Sequence, residues 1–337
     1  MAEFESRTCF HVLGGRAKLR FTGPQALWFL DQLVSNQVVK LEDGAGAQAL
    51  LLTPHGKIES ILRIVRLGEH VFVDAEPDDA RGLLDFFQGR VFATKVAIVD
   101  VSEEFSVIRV MGPGSEKSVE SLPQAPLPPG EAEHSVTLFD GDDDPDRPPR
   151  RLAVRIHRPE PGLDIWVSKV DEGKTLADLG SSGVEALSAG EYESLRVAGG
   201  VPLYGTDFDK SFLPQEAALE VAVHFQKGCY LGQESVAMAQ RGRIKRRLRH
   251  LEFESTPQTG DVTYDGQLAG KVTSASTWEG RAWGIGVVKA SAPIDEEVTV
   301  TGEDGSEHKA TVRELPGTNY GPRVPSAREL RERLQGA

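Results

Sequence analysis

The stretch whose residue types and spacing could do chemistry is Lys227-Gly228-Cys229-Tyr230-Leu231-Gly232-Gln233-Glu234. Gly228 lets the chain turn, and Gly232 can adopt a helix-cap conformation ahead of a helix over Gln233–Arg241. Cys229 is then expected just before a helix N-terminus and two residues after Lys227. Both positive fields favour thiolate over thiol, which raises nucleophilicity or metal affinity. A lone cysteine is more commonly a buried, inert one. The flanking lysine, the paired glycines and the Gln-Glu pair are not what a core position needs. Cys229 is therefore the candidate reactive group, Lys227 its electrostatic activator, and Gln233 and Glu234 candidates to fix the loop or hold a ligand.

A second feature follows directly. Arg241, Arg243, Lys245, Arg246, Arg247 and Arg249 form a run without an acid. Two readings stand side by side: a solvated connection between domains, or an anion site for a polyglutamate tail, a phosphate or an RNA partner. Other motifs fail on context. Gly44, Gly46 and Ala49 imitate a dinucleotide fingerprint, but Leu50–Thr53 reads as strand rather than helix. Gly173-Lys174-Thr175 imitates a Walker A end, with Ser168 where its first glycine belongs. The aspartates at 140, 142, 143, 144 and 146 lack the ordered spacing of a calcium loop.

The elements that must position these residues mix helix and strand without βαβ alternation. Pro24 suits a first helical turn, and Leu27, Leu30 and Val34 recur at helical spacing. Strands are expected at Ala47–Leu52, Ile58–Leu67, His70–Asp74, Val91–Val101 and Phe105–Met111, with a helix that starts at Asp78-Asp79 and stops at Gly89. Pro- and Asp-rich residues 122–150 read as an exposed loop. Strands follow at Leu152–His157 and Leu163–Ser168, and helices at Thr175–Leu179 and Ala189–Val197. Short strands from Leu248 to Arg313 suggest a small barrel or sandwich. A charged helix is expected over Ser326–Leu334. The fold class is α+β. The expected organisation is residues 1–245 as one region of two subdomains, 246–320 as a β-barrel, and 321–337 as a tail.

The chain has 337 residues, 39% hydrophobic and 26% charged, with enough apolar material for a sizeable core. Its net charge of −13 disfavours generic coating of DNA or RNA. No apolar run reaches the length of a membrane span, and the N-terminus lacks a signal-peptide pattern. Two cysteines, Cys9 and Cys229, cannot make a disulfide scaffold. A cytoplasmic protein is expected.

At the octapeptide the sequence resembles the YgfZ branch of the folate-binding, glycine-cleavage T-protein-like (GcvT-like) family, whose signature Lys-Gly-Cys-Phe/Tyr-x-Gly-Gln-Glu is matched from Lys227 to Glu234. Phe21–Leu27, Leu30–Asn36, Leu50–Ile58, Leu195–Gly205, Leu213–Glu216, Arg241-Gly242 and Lys245-Arg246 resemble further family stretches. The resemblance implies two α+β subdomains around a central opening that binds tetrahydrofolate, followed by an antiparallel β-barrel. It implies assistance to iron–sulfur cluster proteins, including some that modify tRNA, through Cys229. A cluster wants about four thiolates, so one cysteine fits transient ligation with a partner, or attack on a sulfur or one-carbon species. With folate as the ligand, Tyr192 becomes a candidate wall for the pterin, and Gln233, Glu234, Arg241 and Arg246 become candidate folate contacts. Asp74, ending a strand, could face the opening, but a surface position is expected. One departure matters: where T-proteins carry a pterin-binding glutamate, the run Arg196–Gly200 has Ala198, which makes aminomethyl transfer the alternative rather than the leading reading. A second departure, Met238 where the family often has arginine, places no catalytic arginine there. A non-catalytic folate-binding adaptor is the remaining alternative.

Overall fold

The computed structural model describes residues 7–77, 79–123, 126–139, 151–242 and 244–316. The chain runs β1 (Cys9–Leu13), β2 (Ala17–Thr22), α1 (Ala26–Asp31), β3 (Gly46–Leu52), β4 (Ile58–Leu67), β5 (His70–Glu76), α2 (Ala80–Gln88) and β6 (Ala97–Asp100). It continues through β7 (Phe105–Met111), α3 (Ser115–Glu120), β8 (Val136–Phe139), β9 (Arg151–Ile156), β10 (Gly162–Ser168), α4 (Glu172–Ser181), β11 (Glu185–Ala186) and α5 (Ala189–Ala198). After a long irregular stretch come α6 (Gln233–Arg241) and β12 (Arg246–Phe253), β13 (Gly260–Tyr264), β14 (Gln267–Trp278), β15 (Arg281–Lys289), β16 (Glu297–Thr301) and β17 (Glu307–Arg313).

Two sheets pack face to face between helices. One has the order β3-β4-β5-β2-β6, the other β11-β1-β7-β10-β9-β8. Alternation along each strand decides what each face meets. Leu19, Phe21, Leu62, Ile64 and Val73 turn to the α1 and α2 side. Ile108, Val110, Leu163 and Ile165 turn to α3 and α4. The facing surfaces carry Val65, Leu67 and Phe72 against Phe105, Val107, Leu152 and Trp166. That apolar packing fills only part of the interface; the charged remainder is described below. Strands β12 to β17 close a separate antiparallel barrel in the order β12-β15-β14-β13-β16-β17 around Leu251, Val262, Val272, Val300 and Val312.

Several expectations change. The run Val91–Val101 forms a strand only over Ala97–Asp100, because Val91 and Val96 pack beside α2 as loop residues. Part of the expected loop 122–150 is ordered: Val136–Phe139 pairs with β9 and buries Val136. The aspartates at 140–146, Arg243 and the 321–337 tail with its expected helix lie outside the described residues. Helix α2 begins as expected, with the Asp79 side chain accepting from the Gly82 N–H and Gly89 at its end. The dinucleotide-like glycines fall at the entry to strand β3, which suits no phosphate.

Candidate functional site: a charged central opening and an exposed thiol

Where the two sheets separate, their facing strands carry charge instead of apolar groups. Arg63 on β4 lies opposite Asp74 on β5, and Arg109 on β7 lies opposite Asp164 on β10 and His11 on β1. Arg16, just before β2, pairs with Asp74 and with Glu76. Arg63 joins the sheets, pairing with Asp74 on its own sheet and, at 2.5 Å, with Asp164 on the other. Arg109 grips Asp164 with two parallel hydrogen bonds of 2.7 and 2.8 Å. Three guanidiniums thus meet three carboxylates. Burial alone would raise the Asp164 pKa, but Arg109 and Arg63 override it and hold this carboxyl well below the usual range. Asp74 behaves alike, with Arg16 and Arg63 outweighing burial.

Two chambers adjoin this network and share Arg16, Glu76, Arg109, Val201 and Pro202. The inner chamber, about 140 Å3, adds Gln48, Arg63, His134, Arg158, Phe208 and Leu219. The outer one, about 400 Å3, adds His11, Glu193, Leu203 and Tyr204 beside Tyr192. The Tyr192 ring stacks on His11 at 4.4 Å, and its hydroxyl accepts a hydrogen bond from Arg109 Nη1 at 2.9 Å. His11 Nδ1 donates to the Leu187 carbonyl, which leaves Nε2 toward other partners. Burial pushes His134 down to about 4, so it is neutral at pH 7. Its Nδ1, like Arg63 Nε, is buried and has no hydrogen-bond partner among the described residues.

Cys229 lies elsewhere, on an exposed loop, as a free thiol. The loop is held from both sides. Gly232 takes φ 82° and caps α6, and a Cβ there would stand 2.4 Å from the Thr53 carbonyl oxygen and 2.9 Å from Gly56 Cα. Lys227 does not turn toward the thiol. Its buried ammonium donates all three protons to the carbonyls of Asp31 (2.5 Å), Val34 (2.9 Å) and Asn36 (2.8 Å), with the Asp31 carboxylate 3.5 Å away. Lys227 has no proton left for Cys229, so its role is to hold the loop. Gln233 Nε2 donates to the Lys227 carbonyl at 3.3 Å and closes the turn. Glu234 is exposed, with no hydrogen bond among the described residues. Cys9 is the inert cysteine: burial pushes its thiol up to about 11.

The structure therefore divides the candidates read from the sequence. Lys227, Cys229, Gln233 and Glu234 come together at the loop–helix junction, whereas Tyr192 sits at the central opening. Asp74 is no surface residue: it is 1% exposed and central to the ion network. Arg241 is exposed and has no ion pair among the described residues. Arg246 pairs with Glu216 at 3.0 Å and covers the Phe212 ring, and neither arginine lines a chamber. Arg247 pairs with Glu220, so Arg246 and Arg247 fasten the barrel to the segment before it, whereas Arg249 pairs with Glu314 at the end of β17, within the barrel itself. Residues 227–234 also line neither chamber. The signal for the missed residues was present: Arg109 and Asp164 are single charges inside apolar strands and Arg63 stands between Leu62 and Ile64, and such charges need partners across a sheet.

Residues 14–134 match the family model described as the GCVT N-terminal domain. A chloroplastic putative transferase of Arabidopsis thaliana is 25% identical over 308 residues, covering 89% of this chain and 68% of that protein. An aminomethyltransferase of Rubrobacter xylanophilus is 25% identical, covering 84% of this chain and 76% of the enzyme. One from Pelodictyon phaeoclathratiforme is 26% identical, covering 91% and 84%. The crystal structure of the glycine cleavage system aminomethyltransferase T from Bartonella henselae superposes with a TM-score of 0.79 at 20% identity, covering 92% of this chain and 86% of that one. The chain has a GcvT-like fold, with mixed α and β content and a closed six-stranded barrel. No helix among the described residues is long and apolar enough to cross a membrane.

Proposed function

We propose that this chain is a YgfZ-type factor that binds tetrahydrofolate, or a one-carbon derivative, in the central opening and assists iron–sulfur cluster proteins through Cys229. The observation that carries this reading is an exposed, free thiol on a loop locked by buried contacts. An ordinary surface loop has no need of a saturated buried ammonium and a glycine–glycine contact. Because Cys229 lines neither chamber, its chemistry is directed outward, to a client or assembly protein. A single thiolate can be one transient ligand to a cluster whose other ligands the partner supplies.

The opening suits a folate head group. Orphaned His134 Nδ1 and Arg63 Nε, with Gln48 beside them, offer polar contacts, and Phe208 and Leu219 offer apolar walls to a flat heterocycle. Tyr192 and His11 flank the adjoining chamber, and Arg158 has no ion pair among the described residues with which to decline an anionic tail. The balanced ion network would hold these groups without reorganising on binding. We place the protein in the cytoplasm.

Anaerobic titration calorimetry with tetrahydrofolate, on parent and Cys229→Ala protein, tests both halves when combined with complementation of cluster-enzyme activity. Micromolar binding in both proteins and loss of complementation only in the variant are expected. Full complementation by Cys229→Ala would overturn the role of the thiol, and absence of binding heat would remove the folate.

A second reading, one-carbon transfer of the aminomethyltransferase kind, is favoured by the names of the relatives. Ala198 argues against it, because this position on α5 packs against apolar neighbours and offers no side-chain hydrogen bond. Tetrahydrofolate-dependent transfer that survives Cys229→Ala would favour this second reading.

A further inference from the structure

The Cys229 loop and the inner chamber are separate, yet one short segment hydrogen-bonds both to a strand that lines the chamber and to the chain that leads into the loop. Residues 31–36, the end of α1 and the turn after it, supply the three carbonyls that hold Lys227. Ser35 Oγ donates to the Ala222 carbonyl at 2.5 Å while accepting from the Leu50 N–H at 2.8 Å. The Ser35 carbonyl accepts from the His224 N–H at 3.0 Å. Asn36 Nδ2 donates to the carbonyl of Gln48 at 2.8 Å and to that of Val221 at 3.4 Å. Gln48 and Leu219 line the inner chamber, whereas Val221, Ala222, His224 and Lys227 lead into the Cys229 loop. Asp31 completes the unit: its carboxylate accepts from the Val38 and Val39 N–H groups and balances the ammonium.

We propose that residues 31–36 are a positioning clasp that carries the state of the central opening to the Cys229 loop, with Asn36 as its coupling residue. This inference rests on the folate reading above. A ligand that settles against Gln48 and Leu219 fixes β3 and the 219–222 segment. Asn36 bridges those two pieces of chain, and its own carbonyl holds Lys227, two residues before the thiol. A buried ammonium with three carbonyl partners cannot move unless the carbonyls move with it, since an unpaired buried charge is costly. The clasp therefore shifts as a unit, and the exposure of Cys229 follows the occupancy of the chamber. No residue of the clasp lines either chamber, so it acts by position alone.

The test is the rate of Cys229 alkylation by iodoacetamide in the full chain, with and without tetrahydrofolate. Buried Cys9 stays silent, as Cys229→Ala verifies. In the parent, saturating tetrahydrofolate should change the rate at least three-fold. Asn36→Ala keeps every backbone carbonyl at Lys227 and the Ser35 hydrogen bonds to Leu50 and Ala222, and removes only the side-chain link from Asn36 to Gln48 and Val221. Without folate it should alkylate at least three-fold faster than the parent, and it should bind tetrahydrofolate with unchanged affinity yet lose the folate response. Retained binding with a lost response separates coupling from a general structural role. A variant with the parent's rate and the parent's response overturns the proposal, as does a parent that binds folate without any change in alkylation. If the parent binds no folate, the folate reading fails and the clasp is judged by the folate-free rates, where equality of variant and parent overturns it. If Asn36→Ala does not fold, Asn36→Ser provides the same comparison.

Discussion

Asp164→Asn is the sharpest perturbation of the central opening. The carboxylate is fully buried and takes hydrogen bonds from Arg63 at 2.5 Å and from Arg109 at 2.7 and 2.8 Å. Asparagine keeps the shape but removes the charge and turns an N–H2 toward a guanidinium. The balance becomes three buried cations against Asp74 and Glu76 alone. Breaking a buried pair on one side costs roughly 3–5 kcal/mol, which at about 2–4 °C per kcal/mol lowers the melting temperature by roughly 6–20 °C. Scanning calorimetry at pH 7 measures this. Adding Arg63→Met restores two cations against two anions and should recover at least half of the loss, because charge imbalance is the cause. The pH dependence has a fixed sign. Asp164 titrates lower in the fold than in the unfolded chain, so its contribution is complete above about pH 4 and is lost as pH falls through the folded value. The gap between parent and variant should then be constant from pH 5 to 8 and shrink below pH 4. An Asp164→Asn protein within about 1 kcal/mol of the parent at pH 7 would refute the view that the network is a tightly balanced unit.

Three further outcomes follow from the same geometry. His250, stacked on Trp283 and bonded to the Val197 carbonyl, is pushed down to about 4 by burial; its contribution is complete above pH 6.5 and falls by up to about 3 kcal/mol towards pH 4. His250→Gln should make the acid side of the stability profile measurably flatter in urea titrations, with His134 keeping a parallel share. Gly232→Ala puts a side chain at φ 82° and drives its Cβ into the Thr53 carbonyl, so about 2 kcal/mol or more of stability should be lost and Cys229 should alkylate faster. Arg246→Ala should cost about 1 kcal/mol through the lost Glu216 pair and Phe212 contact, whereas Arg241→Ala should stay within about 0.5 kcal/mol; equal melting temperatures for the two would show that the basic run is uniformly solvated.

What is legible in the amino-acid sequence is local, and what is not legible there is relational. The long apolar strands Ile58–Leu67 and Phe105–Met111, the cap at Asp79 and the short strands of the barrel carry their signals within a few residues, and each is where its pattern points. Strand β1 and helix α3 are short and owe their form to neighbours: β1 to β7, and α3 to the sheet face beneath it. The site divides in the same way. The Cys229 loop is legible because glycines, cysteine and the following helix are consecutive. Lys227 shows the limit, since two residues of separation suggest a field on the thiol while the three carbonyls that claim its ammonium lie some 190 positions earlier. Arg63 and Asp164 are 101 positions apart and become partners only when two sheets close on each other. Their placement has a consequence for how the opening works. A chamber walled by ions already paired across two sheets presents fixed dipoles to a ligand and needs no rearrangement of charge when one arrives. Under the proposed coupling, a ligand there is felt through the chain segments that line the chamber, and 31–36 is a segment with direct hydrogen bonds to both the chamber strand and the thiol loop.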